Sequence, residues 1–271
     1  TVLRNMIKAH AAAYKAIHHV QPEARVGLAH NFRFFDPVRP HHLLDRCAAW
    51  VQDLVFNRTT LAPLGKGWWA LPLGIGPALK VARTLDWIGI NYYTRDLIKS
   101  NLSAFLGRDK KTEIAPAAEA QSRVPGIETL HSPDAELLDG GYGELYPEGL
   151  SRAIRRVGHL GLPIYITENG IPDGDDDQRP RAIVLHLHQL WRALQDNYPV
   201  MGYYHWTLTD NFEWAEGWTL PFGLVELDRE TQQRIPRPSA DLYGAIARGN
   251  AITPELVDAY TPELRPILMP A

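Results

Sequence analysis

The chain has 271 residues, 45% apolar and 22% charged, with a net charge of −3, proportions that exclude a disordered, collagen-like or basic nucleic-acid-binding protein. No apolar run reaches the ~18 residues of a membrane span, and the single cysteine, Cys47, excludes an internal disulfide. A minimal (β/α)8 barrel takes ~250 residues, so the length admits one such barrel or two smaller domains.

Residues 1–20 are rich in Ala, Leu and Ile at helical spacing, and Pro22 closes them. The first ten lack the apolar region of a secretion signal, so a cytoplasmic location is expected. Residues 25–29 read as a short buried strand. Residues 42–56 read as a helix with Leu43, Leu44, Cys47, Trp50, Val51, Leu54 and Val55 on one side. In that setting Cys47 is expected to be a buried small hydrophobe. Residues 85–93 are strongly strand-like. Residues 94–142 lack periodicity and are expected to form a long loop excursion, a feature that tends to be functional. Pro147 opens a helix over residues 148–160. Residues 163–167 form a strand, 180–197 a helix, 200–206 a strand, and 239–248 a helix capped by Gly249 and Asn250. The order is α/β: about four apolar strands suited to a parallel sheet, each followed by a helix, in a single unit over residues 1–271.

In such proteins the chemistry lies at the carboxyl ends of the strands. One strand ends Ile166-Thr167-Glu168-Asn169-Gly170, with a carboxylate directly after an apolar run. A turn-capping carboxylate would look the same. Another ends Asn91-Tyr92-Tyr93-Thr94, where an amide and a phenol are suited to hydrogen-bond a neighbouring carboxylate and hold it ionised. A tyrosine packed at the rim is the plainer alternative. Of the eight Trp, three fall between 206 and 218, and Glu213 is interleaved with them. Indole faces stack on sugar rings while carboxylates bind their hydroxyls. A Trp-rich core loop would explain the indoles but not Glu213.

Together these segments resemble glycoside hydrolase family 1, the retaining β-glucosidases and β-galactosidases. The resemblance rests on Gly89-Ile90-Asn91-Tyr92-Tyr93-Thr94, Gly143-Glu144-Leu145-Tyr146-Pro147-Glu148-Gly149-Leu150, residues 164–170 and residues 206–218. Phe222-Gly223-Leu224-Val225 and Arg237-Pro238-Ser239-Ala240 extend it. The tail and the Asp-rich loop look closest to the archaeal-type branch. The resemblance implies that Glu168 is the nucleophile, that Tyr93 hydrogen-bonds it, and that Asn91 lines the same subsite. It further implies that Trp206 and Trp214 form the floor and wall of the sugar site, that Glu213 binds the far hydroxyls, and that Phe222 adds an aromatic edge. A carboxylate at Glu213 would repel a phosphate, so unphosphorylated β-glycosides are the implied substrates, with no cofactor.

The family's acid/base Glu sits in an Asn-Glu-Pro motif, and that motif is absent from these residues. Residues 1–20 resemble the helix after the family's fourth strand. The chain therefore reads as the C-terminal half of a (β/α)8 TIM barrel, carrying the nucleophile but not the acid/base half. Glu144 and Glu148 match positions that look structural, and Glu216 lies just past the sugar-binding segment. The expected partner is a second half-barrel, either another copy or an N-terminal half, with no nucleic acid and no membrane. The alternative is a non-catalytic half-barrel acting as a sugar-binding or self-assembling module. No metal is expected: Asp173, Asp175 and Asp177 mimic a calcium loop, but Gln178 replaces its glycine. A solvated loop leading into a helix is the simpler reading.

Overall fold

The computed structural model describes residues 1–101 and 126–269. Helix α1 (Val2–Val20) leads into strand β1 (Gly27–Pro37), and α2 (Leu43–Asp53) follows. A small hairpin, β2 (Trp68–Trp69) with β3 (Gly76–Pro77), precedes β4 (Trp87–Ser100) and its antiparallel partner β5 (Ile127–Leu130). Next come α3 (Glu148–Gly158), β6 (Ile164–Asn169), α4 (Arg179–Gln195) and β7 (Val200–His205). A second hairpin, β8 (Val225–Leu227) with β9 (Arg234–Pro236), and helices α5 (Pro238–Gly249) and α6 (Pro254–Tyr260) follow.

Strands β1, β4, β6 and β7 lie side by side in that order, all parallel. This is the four-stranded α/β arrangement that the apolar runs predict. Alternate residues of a strand face opposite sides. On one side Ile88, Ile90, Tyr92, Ile164 and Ile166 are wholly buried, packed with Leu150, Ile154 and Val157 of α3. Gly149 permits this approach, because a Cβ there would lie 1.9 Å from the Tyr92 hydroxyl. On the other side Asn91, Tyr93, Thr167 and Glu168 are only half buried. In the described residues β1 and β7 each pair on one side alone.

Two strands are longer than the sequence suggests. β1 runs for 11 residues and β4 for 14, so residues 94–100, expected in a long loop, continue the strand. Polar residues hide this alternation. Thr94 and Asp96 are buried like Ile98, and Arg33 donates to both oxygens of Asp96 at 2.7 and 2.8 Å. The same stretch also contains β5, and its middle lies outside the described residues.

Helix α2 is turned the other way from an ordinary surface helix. Its buried residues are Asp45, Ala49 and Asp53. Leu43, Leu44, Trp50, Val51 and Val55 are exposed, and so is Cys47, which corrects the expectation that it is buried. The reason is electrostatic. Asp45 accepts from Arg39 twice at 2.8 Å and from the Ser100 amide and hydroxyl at 2.9 and 2.6 Å. Asp53 accepts from Asn57 and Arg58 at 2.8 and 2.6 Å, and from Arg156 of α3. Buried charge is tolerated only with partners, and these partners fix the rotation of the helix.

Among the described residues no helix is long and apolar enough to cross a membrane.

Candidate active site

The β4–β6 register slips between Ile90 and Asn91, so that Asn91 stands opposite Glu168 rather than Thr167. The slip turns Glu168 onto the open face beside Tyr93. Tyr93 Oη donates to Glu168 Oε2 at 2.5 Å. Burial and this carboxylate both raise the Tyr93 pKa, so the phenol remains a donor. Asn91 is held from the next strand, its Oδ1 accepting from Thr167 Oγ1 at 2.5 Å. The strand end is fixed from behind by Asn169. Its Nδ2 donates to the Tyr92 carbonyl at 2.8 Å, and its Oδ1 accepts from Tyr203 at 2.8 Å. At Gly170 a Cβ would fall 1.8 Å from the Trp206 carbonyl oxygen, so the chain after Glu168 lies directly on the end of β7.

The segment after β7 is laced to the two that follow. Thr207 and Leu224 are joined by backbone hydrogen bonds, as are Thr207 and Phe222. Asp210 accepts from the Gly223 amide at 2.7 Å and from Arg237 at 3.2 and 3.0 Å. Trp206 and Glu213 meet: burial raises the Glu213 carboxyl, a hydrogen bond with the Trp206 side chain opposes that rise, and the Glu168 charge adds to it. Glu168, Tyr93, Asn91, Trp206 and Glu213 thus share one face.

Phe222 and Trp214 are placed differently. Phe222 is 1% exposed, so it packs beneath Tyr93 and presents no free edge to a ligand. Trp214 is 84% exposed and stands out in solvent. Sequence reasoning missed Tyr142. Its ring lies edge-on to Tyr93 and Phe222, with centroids 5.9 and 5.1 Å away. Burial pushes its phenol up to about 12, with Arg33 opposing and the Glu213 and Glu168 charges reinforcing the rise. An aromatic at the end of an irregular segment next to Gly143-Glu144 was the available signal.

The Asp-rich loop is only partly solvated: Asp175 and Asp177 are exposed. Asp173 and Asp176 are buried. Asp173 accepts the amides of Asp176, Gln178 and Arg179 at 3.0, 3.0 and 2.6 Å, which anchors the start of α4. The carboxylates of Asp173, Asp175 and Asp177 come within 4.8 Å of one another, but Asp173 is already engaged by these amides.

The pattern of glycosyl hydrolase family 1 matches residues 1–252. The chain belongs to that family. It is 34% identical over 253 residues to the beta-galactosidase of Sulfolobus acidocaldarius, covering 93% of this chain and 48% of that one. It is 35% identical over 266 residues to the beta-galactosidase of Pyrococcus woesei, covering 93% and 51%. The solved beta-glycosidase of Pyrococcus horikoshii superposes with a TM-score of 0.79 at 32% identity, covering 96% of this chain and 56% of that one. A Thermotoga maritima beta-glucosidase solved with glucoimidazole superposes at 0.77 and 25% identity, covering 93% and 57%. The chain therefore spans about half the length of the family 1 relatives it matches, and its four-stranded sheet is about half of their barrel.

Proposed function

We propose that this chain supplies the nucleophile half of a retaining β-glycosidase for unphosphorylated β-glucosides or β-galactosides. The observation that carries the reading is the Tyr93–Glu168 hydrogen bond, made where the β4–β6 ladder ends and β6 reaches its carboxyl end. In this reading a Glu168 oxygen attacks the anomeric carbon, forming a glycosyl ester as the bond to the leaving oxygen breaks. That oxygen takes a proton from a second carboxyl group. Water then attacks the same carbon, its proton returning to the second carboxyl, and the ester bond breaks to free Glu168. The two carboxyls of retaining enzymes stand ~5–5.5 Å apart. Nothing in the geometry described above sets a second carboxyl in that role, so a complementary half-barrel supplies it. Asn91, Trp206 and Glu213 bind the sugar, Tyr93 orients the nucleophile, and Trp214 closes on the sugar once the other half is docked.

The test is complementation. An aryl β-glucoside is incubated with this chain, with the first half of the Pyrococcus woesei relative, and with both. Hydrolysis by the mixture, lost in Glu168→Gln, supports the reading. No gain over the separate halves counts against it.

A second reading has one observation in its favour. Among the described residues the outer sides of β1 and β7 have no strand partner, which suits closure by a second copy and a non-catalytic, self-assembling module. Light scattering decides: a monomer at micromolar concentration removes this reading.

A further inference from the structure

Helix α2 and helix α3 leave a cleft of about 490 Å³ between them, on the helix-covered side of the sheet. Its floor is aromatic: Phe34 and Phe35 of β1, with Leu43 and Trp50 of α2 on its wall. Phe34 faces away from the candidate active site, because Arg152 and Arg156 of α3 sit over its ring at 4.2 and 5.4 Å. The cleft therefore lies apart from the candidate active site and does not depend on the glycosidase reading.

The cleft combines two properties that ordinary surfaces keep separate. The outward arc of α2 is apolar, with Leu43 68% and Trp50 54% exposed. The walls carry four guanidinium groups, Arg46, Arg58, Arg152 and Arg156, against the single carboxylate of Asp53. Arg58 and Arg156 share Asp53, and Arg152 is held by Asp36 at 2.6 and 2.8 Å. Among the described residues Arg46 has no ion-pair partner, and it is exposed at the mouth. The chain as a whole carries −3, so this cationic excess is local. An apolar floor under an unpaired guanidinium is complementary to a ligand with an apolar tail and an anionic head.

We propose that this cleft binds a single-chain amphipathic carboxylate, with its alkyl chain over Phe35, Leu43 and Trp50 and its carboxylate on Arg46. A protein surface with an acidic rim, a second copy of this chain and an anionic membrane are the competing occupants. The cleft form favours a single tail over a membrane plane, and a second copy would set one arginine-rich wall against another.

The sole cysteine reports on the site, since Cys47 is exposed and lines the cleft. The full chain is labelled with uncharged iodoacetamide, and the rate at Cys47 is read by intact mass. Dodecanoate below its micelle-forming concentration is expected to slow labelling saturably, about tenfold at ten times its Kd. Dodecanol at the same concentration is expected to protect far less. Arg46→Glu removes the preference for the carboxylate and Arg46→Lys keeps most of it, with circular dichroism confirming that both variants fold. Equal protection by dodecanol, full protection of Arg46→Glu, or no protection by dodecanoate overturns the proposal. Protection by phosphatidylglycerol vesicles but not by dodecanoate also overturns it, making the face a membrane seat. Protection that rises with protein concentration alone overturns it in favour of self-association.

Discussion

Helices α2 and α3 have the same length, 11 residues, and both lie against β4, yet they bury opposite kinds of surface. Helix α3 turns Leu150, Ala153, Ile154 and Val157 inward. Helix α2 turns Asp45, Ala49 and Asp53 inward and leaves its two leucines, its valine and its tryptophan outside. The difference shows that an apolar stripe gives the period of a helix without giving its rotation. Rotation follows the sum over both faces, and two paired carboxylates outweigh a stripe whose outward residues gain little from a partial covering.

The largest expected effect comes from Asp53. Removing one partner of a fully buried pair costs ~3–5 kcal/mol because the remaining charge is left uncompensated; here Arg156 and Arg58 stay a quarter and half exposed, so the low end, ~3 kcal/mol, is expected. Asp53→Ala strands Arg156 and Arg58 and breaks the Asn57 contact. Its unfolding free energy from urea titration should fall by roughly that amount, and a loss within ~0.5 kcal/mol would show that the ion pairs do not hold α2 in place. The matching change in α3 is Ile154→Ala. It empties a wholly buried position and should cost ~2–5 kcal/mol through lost transfer energy and a cavity.

Acid sharpens the contrast between burying charge and burying a neutral ring. Burial holds the imidazoles of His30 and His186 with pKa values lowered to about 4, and that of His205 lowered to about 3, with Arg179 and His186 adding to the last. In the unfolded chain a histidine titrates near 6.5. Between those values the unfolded state binds protons that the folded state does not, so stability falls as pH drops below ~6.5. The Asp53 carboxyl is lowered by its partners despite burial, so its contribution is lost only lower, as pH falls below the unfolded carboxylate value of ~3.9. Urea unfolding at pH 7.5 and 4.5 separates the two. Each buried histidine should remove up to about 3 kcal/mol at the lower pH. His186→Leu should flatten this slope, and an unchanged slope would show that the ring is solvated.

The strands and helices were legible because their apolar runs are long and locally consistent. Glu168 and Tyr93 were legible because they end such runs. The rotation of α2 was hidden because the partner that decides it, Arg156, lies 103 residues away in sequence. The extension of β4 was hidden because Arg95 and Asp96 look like loop residues until Glu144 and Arg33 are placed beside them. Tyr142 was hidden for a similar reason: only the fold brings it against Tyr93 and Phe222.

The smallest expected effect is the most informative about α2. Leu44 is 47% exposed and lies outside the cleft lining, on the outward arc of the helix. If the stripe faced a core, Leu44→Gln would bury an amide without partners and cost several kcal/mol. With the stripe outward, the substitution trades one exposed side chain for another and should change stability by no more than ~0.5 kcal/mol. It should also leave the dodecanoate protection of Cys47 intact, because Arg46, Trp50 and Leu43 are untouched. A loss as large as that of Ile154→Ala would mean that α2 packs its stripe inward in solution. The same rotation would carry Asp45 out to solvent and break its pairing with Arg39 and Ser100, so its carboxyl, held well below the usual range by those partners, would return to the ordinary carboxylate titration and report the change independently.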